Sequence, residues 1–196
     1  MARGIVGVLL AAGASRRFGG DKLMHPLSDD KPMALASAER LRPACDHVVA
    51  VLRPEQQALA DLLSTRGWQI ALCPEAKMGM GHSLAAGVAA TPDASGWIIA
   101  LGDMPFIASD THRTVSEHLR AGACLVATQY QEQRGHPVGF GQKWLPDLTA
   151  LNGEQGGQAI LRQYRQRLVL VSVEDPGVIR DIDYRADLED LALSGP

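Results

Sequence analysis

Ile5 to Leu10 is an unbroken apolar run, β-branched and leucine-rich, of the length of one strand buried on both faces. The same pattern returns at His47 to Leu52, more briefly at Gln69 to Cys73, and again at Trp97 to Leu101 and Cys124 to Thr128. Between these runs the apolar positions change to helical spacing. Pro32 suits a helix start and leads into Met33 to Leu41, after a polar, turn-like Leu27 to Lys31. Pro54 opens a helix carrying Leu59, Leu62 and Leu63, and a glycine loop at Met78 to Ser83 leads through His82 or Ser83 into a small-residue helix, Leu84 to Ala90. Ser109 or Asp110 is expected to cap a helix running to about Arg120. Gly135 to Gly141 holds Pro137, which cannot donate to a ladder, so a short or irregular strand is expected there and a normal central strand is not. Trp144 to Leu151 and Gly157 to Tyr164 read as helices around a loop at 152–156; Leu168 to Val173 alternates as a strand; an acidic helix, Arg185 to Leu193, follows Asp181-Ile182-Asp183. Strands alternating with helices predict an α/β fold with a largely parallel sheet and right-handed crossovers, in one domain over residues 1–196.

Composition narrows the partners. The 196 residues are 46% hydrophobic and 21% charged, with a formal net charge of −3, so no basic surplus points to nucleic acid or a membrane surface. No stretch reaches the ~18 apolar residues of a membrane span. Arg3, the apolar run and Ala12-Gly13-Ala14 mimic a secretory leader with its cleavage site, but the segment is shorter than the ~15–30 residues usual for one. Three cysteines, Cys45, Cys73 and Cys124, are odd in number and show no C-x-x-C spacing, and Cys73 and Cys124 lie in apolar segments. Buried thiols in a reducing cytoplasm are expected.

The candidate chemistry lies where the strands end, because ligands of open α/β sheets bind beyond the carboxyl ends of the strands. After the first strand the chain reads Leu10-Ala11-Ala12-Gly13-Ala14-Ser15-Arg16-Arg17-Phe18-Gly19-Gly20-Asp21-Lys22. Small residues let backbone N–H groups approach a ligand, and Arg16, Arg17 and Lys22 suit a polyphosphate. The loop has neither the G-x-x-x-x-G-K-[ST] of a P-loop nor the G-x-G-x-x-G of a dinucleotide site. Asp103 follows Gly102 at the end of a very apolar strand and suits a hard-oxygen ligand of Mg²⁺, with either Asp183 or Asp181 as second carboxylate. The histidines form no metal-ligand cluster; His112 and His118 are expected on an exposed helix, and His136 is held between Gly135 and Pro137 in a constrained turn. No nucleophile elbow or Cys–His pattern supports hydrolase chemistry.

These residues resemble a known family. Leu10 to Leu23 is similar to the L-A-A-G-x-S-x-R-M-G-x-x-K-L signature of nucleotidyltransferases that act on the molybdenum cofactor. Met78-Gly79-Met80-Gly81-His82-Ser83-Leu84, Leu101-Gly102-Asp103-Met104-Pro105, Arg134-Gly135-His136-Pro137-Val138 and Asp181-Ile182-Asp183 resemble its later motifs in the same order. The Ala11-Ala12 pair resembles the cytidylyltransferase branch, whereas the guanylyltransferase branch carries L-A-G-G. Two places depart from the pattern: Phe18 stands for a methionine, and Gly153-Glu154-Gln155-Gly156-Gly157-Gln158 stands for G-D-x-G-A-R, so Gln158 lacks the charged fork of arginine.

The resemblance implies a Rossmann-like three-layer sandwich of the nucleotide-diphospho-sugar-transferase kind. It implies transfer of CMP from CTP to molybdenum-bearing molybdopterin with release of pyrophosphate. Arg17 and Lys22 would meet the triphosphate; Leu10, Ala11, Ala12, Gly13, Ser83 and Gly102 would lie by the nucleotide; Asp103 and Asp183 would hold Mg²⁺; His136 would lie on the acceptor side. A recipient molybdoenzyme or its chaperone would be the next partner. The nucleophile would be the acceptor's own terminal phosphate, largely dianionic at neutral pH and in need of no general base. Three rivals are weighed beside this: GTP as donor, another phosphorylated acceptor, and a non-catalytic molybdopterin chaperone, to which the altered 153–158 stretch is the relevant feature.

Overall fold

The computed structural model describes residues 4–13, 15 and 17–188. Seven strands form one sheet: β1 (Ile5–Leu10), β2 (His47–Leu52), β3 (Gln69–Leu72), β4 (Gly96–Leu101), β5 (Leu125–Tyr130), β6 (Gln133–Gly141) and β7 (Leu168–Ser172), in the order β3-β2-β1-β4-β6-β5-β7. β1 pairs in parallel with β2 and β4, β2 with β3, and β5 with β7; β6 runs antiparallel to both of its neighbours. The helices are α1 (Met33–Leu41), α2 (Gln57–Ser64), α3 (Met80–Ala89), α4 (Ser109–Arg120), α5 (Leu145–Thr149) and α6 (Gln158–Gln163).

Period-two alternation explains the layers. Ile5 and Leu9 of β1, with Ile98 and Ala100 of β4, face a core closed by Leu35 and Leu41 of α1, Leu59 and Leu63 of α2, and Val115 and Leu119 of α4. Val6, Val8 and Leu10, with Trp97 and Ile99, face the other way, against Leu84 and Val88 of α3, Leu148 of α5, and Ile160 and Leu161 of α6. Helices thus cover both faces of a mostly parallel sheet, the arrangement in which central strands read as continuous apolar runs.

Several local expectations are corrected. The glycine segment is no loop before a helix at Leu84: a 3₁₀ turn at Pro74–Met78 ends at Gly79, and α3 begins at Met80. Its glycines allow close approach, since the Gly81 N–H donates to the Gly153 carbonyl at 2.8 Å and a Cβ there would lie 2.6 Å from the Asn152 oxygen. α2 starts at Gln57, three residues past Pro54, and the side chain of its N-cap residue Gln56 bonds the Ala11 carbonyl instead of capping the helix. β6 is central and is the longest strand. Its pairing with β4 stops at Val138, next to Pro137, and its register with β5 shifts between Ala127 and Gln129, so the missing N–H falls where the ladder is interrupted; the His136–Pro137 bond is cis.

Neither Ser109 nor Asp110 caps α4. The N-cap is Ala108, and its N–H donates to the carboxylate of distant Asp175. His112 is buried on the sheet-facing side of α4 with Val115, Ser116 and Leu119, rather than exposed, and His118 is half-buried. All three cysteines are free; Cys73 is buried, while Cys45 and Cys124 are half-buried. Residues 186–188 begin a helical turn, and the rest of the expected C-terminal helix lies outside the described residues. Among the described residues no helix is long and apolar enough to cross a membrane.

Candidate active site

The chain builds β2 and β3 on one side of β1, then returns to lay β4 on the other. The winding therefore reverses between β1 and β4, where an open α/β sheet leaves a crevice at its carboxyl edge. A cavity of about 460 Å³ opens there, and Leu10, Ala11, Ala12, Gly13, Arg17, Lys22, Ser83, Asp103 and Asp183 all line it. Gly102 lies beneath instead: its N–H donates to the Leu10 carbonyl, its own carbonyl accepts from Ser37 Oγ at 3.0 Å, and a Cβ there would sit 3.2 Å from that of Ala11. His136 is not among the lining residues. It is half-buried, with Nδ1 lacking a hydrogen-bond partner among the described residues. Burial pulls its pKa down, against the Ile99 backbone and the Asp103 and Asp181 carboxylates.

The charges converge on Lys22, whose residue is only 7% exposed. It opens a 3₁₀ turn, Lys22–Met24, whose preceding Asp21 side chain accepts from the Met24 N–H. Lys22 Nζ donates to Asp103 Oδ2 at 2.8 Å and to Asp183 Oδ1 at 3.3 Å, while Arg17 donates to Asp183 Oδ2 at 2.9 Å. Burial alone would lower the pKa of Lys22; its hydrogen bonds and attraction to Asp103 and Asp183 outweigh that and raise it. Burial likewise opposes ionisation of Asp183, and Lys22 and Arg17 overcome it, so its pKa falls.

The main chain brings the second carboxylate across. The Ile182 N–H donates to the Asp103 carbonyl at 2.9 Å, and buried Ile182 packs with Phe18 and Met33. Asp187 accepts from the N–H groups of Asp183 and Tyr184, which fixes the turn. Asp183 thereby faces Lys22, whereas Asp181 is exposed and outside the cavity lining. Among the described residues no three acids, histidines or cysteines gather as a metal cluster. The convergent acids are the pair Asp103 and Asp183, whose oxygens reach a single cationic nitrogen. Two hard carboxylates in one cavity form a donor set that suits a divalent cation such as Mg²⁺.

Lys77, Met80 and Glu154 also line the cavity; Met80 and Glu154 fall in the 78–84 and 153–158 stretches noted in the sequence, where neither has an assigned role, and Lys77 falls in none. Glu154 arrives because the 152–154 backbone presses on Gly79 and Gly81; Gly79 has φ +135°, and a Cβ there would collide with the Gly153 carbonyl. Gln158 is exposed and accepts from Arg162 at 3.1 Å on its own helix. Arg53 and Gln56 were missed as well: they bond the carbonyls of Ala11, Ala12 and Gly13 from the loop after β2. Their position at a strand's carboxyl end was the available signal.

A family model described as the MobA-like NTP transferase domain matches residues 7–168. The chain is 29% identical over 194 residues to the purine catabolism protein PucB of Bacillus subtilis, covering 91% of each chain. It is 28% identical over 188 residues to nicotine blue oxidoreductase of Paenarthrobacter nicotinovorans, covering 91% of this chain and 92% of the other. It is also 28% identical over 199 residues to a probable molybdenum cofactor guanylyltransferase of Deinococcus radiodurans, covering 97% and 95%. Among solved structures, Rv0371c from Mycobacterium tuberculosis superposes with a TM-score of 0.85 at 27% identity, covering 97% of this chain and 98% of the other. Its complex with manganese gives 0.81 at 25% identity over the same shares.

Proposed function

The chain belongs to the MobA-like NTP transferase domain family, and we propose that it transfers CMP from CTP to the terminal phosphate of molybdenum-bearing molybdopterin, yielding the cytosine dinucleotide and pyrophosphate. The observation that carries this reading is the convergence of Arg17, Lys22, Asp103 and Asp183 beside the Ala11–Gly13 loop in one cavity. Relatives bearing an oxidoreductase's name and a transferase's name are about equally similar. The loop lacks a dinucleotide fingerprint and carries Arg17 and Lys22, cations that suit a polyphosphate, which favours transfer. The acceptor is supported by the name of the Deinococcus relative and by the ordered motifs, and the base by the Ala11-Ala12 pair. Guanylyl transfer is the second reading, favoured by that relative's name.

In this reaction an oxygen of the acceptor phosphate bonds to the α-phosphorus of the nucleotide, and the bond from that phosphorus to its bridging oxygen breaks, releasing pyrophosphate. The nucleophile arrives already ionised, which removes the need for a base. The obstacle is repulsion between anions and charge growing on the leaving group. Arg17 and Lys22 neutralise that charge, and the backbone N–H groups of the first loop hold the phosphates in place. Asp103 and Asp183 would hold Mg²⁺, which supplies further neutralisation of the phosphate oxygens when bound.

Pyrophosphate release tests the reading, with CTP, GTP, ATP and UTP each offered beside molybdenum-bearing molybdopterin and then beside sugar phosphates. The expected result is release with CTP and molybdopterin, together with the cytosine dinucleotide as product. Preference for GTP establishes the second reading, and turnover only with sugar phosphates excludes both. Stoichiometric molybdopterin binding without release under any nucleotide identifies a carrier instead.

A further inference from the structure

The carbonyls of residues 11–13 in the first loop accept hydrogen bonds from two side chains that do not line the cavity. Gln56, 8% exposed, donates from Nε2 to the Ala11 carbonyl at 3.0 Å, and its Oε1 accepts the Arg53 N–H at 2.8 Å. Arg53 Nη1 donates to the Ala12 carbonyl at 2.6 Å and also to that of Gly13. Three successive carbonyls are thus held by two side chains from the single loop between β2 and α2. In a planar trans peptide the carbonyl and the N–H of the next residue point in opposite directions. Holding the Ala11 and Ala12 carbonyls outward turns the N–H groups of Ala12 and Gly13 the other way, toward the cavity that both residues line.

We propose that Arg53 and Gln56 are positioning residues for a polyphosphate: they do not touch it, and they preset the polarity of the loop that does. The proposal rests on the polyphosphate-binding part of the functional reading. Free peptide units would rotate, and a carbonyl oxygen turned inward would repel an anion where an N–H attracts one. The guanidinium also puts a positive charge behind the loop, at 18% side-chain exposure. Its neighbour Glu55 lies 3.9 Å from Arg53 Nε and 2.9 Å from Lys77 Nζ, so the same loop also contacts a cation that lines the cavity.

Calorimetric titration of the full chain with inorganic tripolyphosphate, and separately with cytidine, tests the proposal independently of turnover. Arg53→Ala is expected to weaken tripolyphosphate at least about tenfold, the scale of one charge-assisted hydrogen bond, and to weaken cytidine by much less. Arg53→Lys keeps the charge without the fork and is expected to recover only part; it also serves as the test if Arg53→Ala fails to fold in a thermal melt. In turnover, nucleotide KM rises while acceptor KM stays unchanged. Wild-type affinity for tripolyphosphate in Arg53→Ala, full recovery in Arg53→Lys, equal loss of cytidine, or no tripolyphosphate binding by the wild type would each overturn the proposal. If the wild type binds tripolyphosphate and Arg53→Ala does not, yet no nucleotide is transferred, the clamp stands and the transferase reading falls. Transfer by both proteins at equal nucleotide KM leaves the reverse.

Discussion

Lys22 is an ammonium buried between two carboxylates, an arrangement that costs desolvation of all three groups and returns little net stability when the geometry is merely adequate. Its raised pKa and the lowered pKa of Asp183 mean that these two groups are both charged at neutral pH. A charged cluster at the carboxyl edge of β1 and β4 therefore fits the proposed polyphosphate chemistry better than a purely stabilising role. Lys22→Ala and Asp103→Ala are each expected to lower pyrophosphate release by about 10²–10³, the usual cost of losing one preorganised contact to developing charge. Circular dichroism should show both variants folded, with a lowered melting temperature because each leaves a partly buried charge without its partner. Near-normal release by either would remove that residue from the proposed chemistry.

At the scale of elements, α4 illustrates what a linear reading can and cannot recover. It has an acidic residue in its first turn but no side-chain cap of its own; Asp175 supplies one from the far side of β7. Asp175 Oδ2 accepts from the Ala108 N–H at 2.9 Å and from Thr111 Oγ1 at 2.6 Å, while Oδ1 accepts from the Gly177 N–H. Asp175→Ala is expected to cost about 1–3 kcal/mol, a lost cap plus an unpaired hydroxyl, read as a lower urea midpoint at unchanged slope. Asp175→Asn, which keeps an acceptor oxygen, should cost less. Such a cap is invisible in sequence because its partners are brought together only by the fold. By contrast, β1, β2 and α1 were legible to the residue, because burial on one or both faces writes itself into apolar periodicity. Glycine misled at 79–81, where it signals close backbone approach in one place and a loop in another. The cavity lining was legible after β1 and β4, as at Lys22 and Asp103, but not after β3, where Lys77 lies. It was not legible at Glu154, which reaches the cavity only through packing of 152–154 on α3.

Acid acts on the whole molecule in two stages. Burial pushes His112 down from 6.5 to about 4, against the pull of Asp175, and Arg40 and His136 add to the depression. Its Nδ1 lacks a hydrogen-bond partner among the described residues, so a proton added there gains no hydrogen bond. The unfolded chain takes that proton near 6.5 and the folded chain near 4, so between them the unfolded state binds more protons and stability falls as pH falls. The loss levels off below the folded value at about 3 kcal/mol. His136, lowered for the same reason of burial, contributes in the same direction. The second stage belongs to carboxylates. Asp46 accepts from the Ile5 N–H at 2.7 Å and from Arg120 at 2.6 Å, tying the start of β1 to the end of α4. Burial works against its charge, but these two bonds prevail and lower its pKa, as Lys22 and Arg17 lower that of Asp183. Stabilisation by these depressed acids is present above their ordinary 3.8 and disappears as pH falls through their folded values. Urea unfolding at constant ionic strength from pH 7 to pH 3 should therefore show a decline that begins near 6.5 and a second below 4. His112→Gln is expected to remove about 2–3 kcal/mol of the upper decline, leaving the share of His136 and the whole of the lower stage. An upper decline of undiminished size in that variant would assign the first stage to groups other than His112.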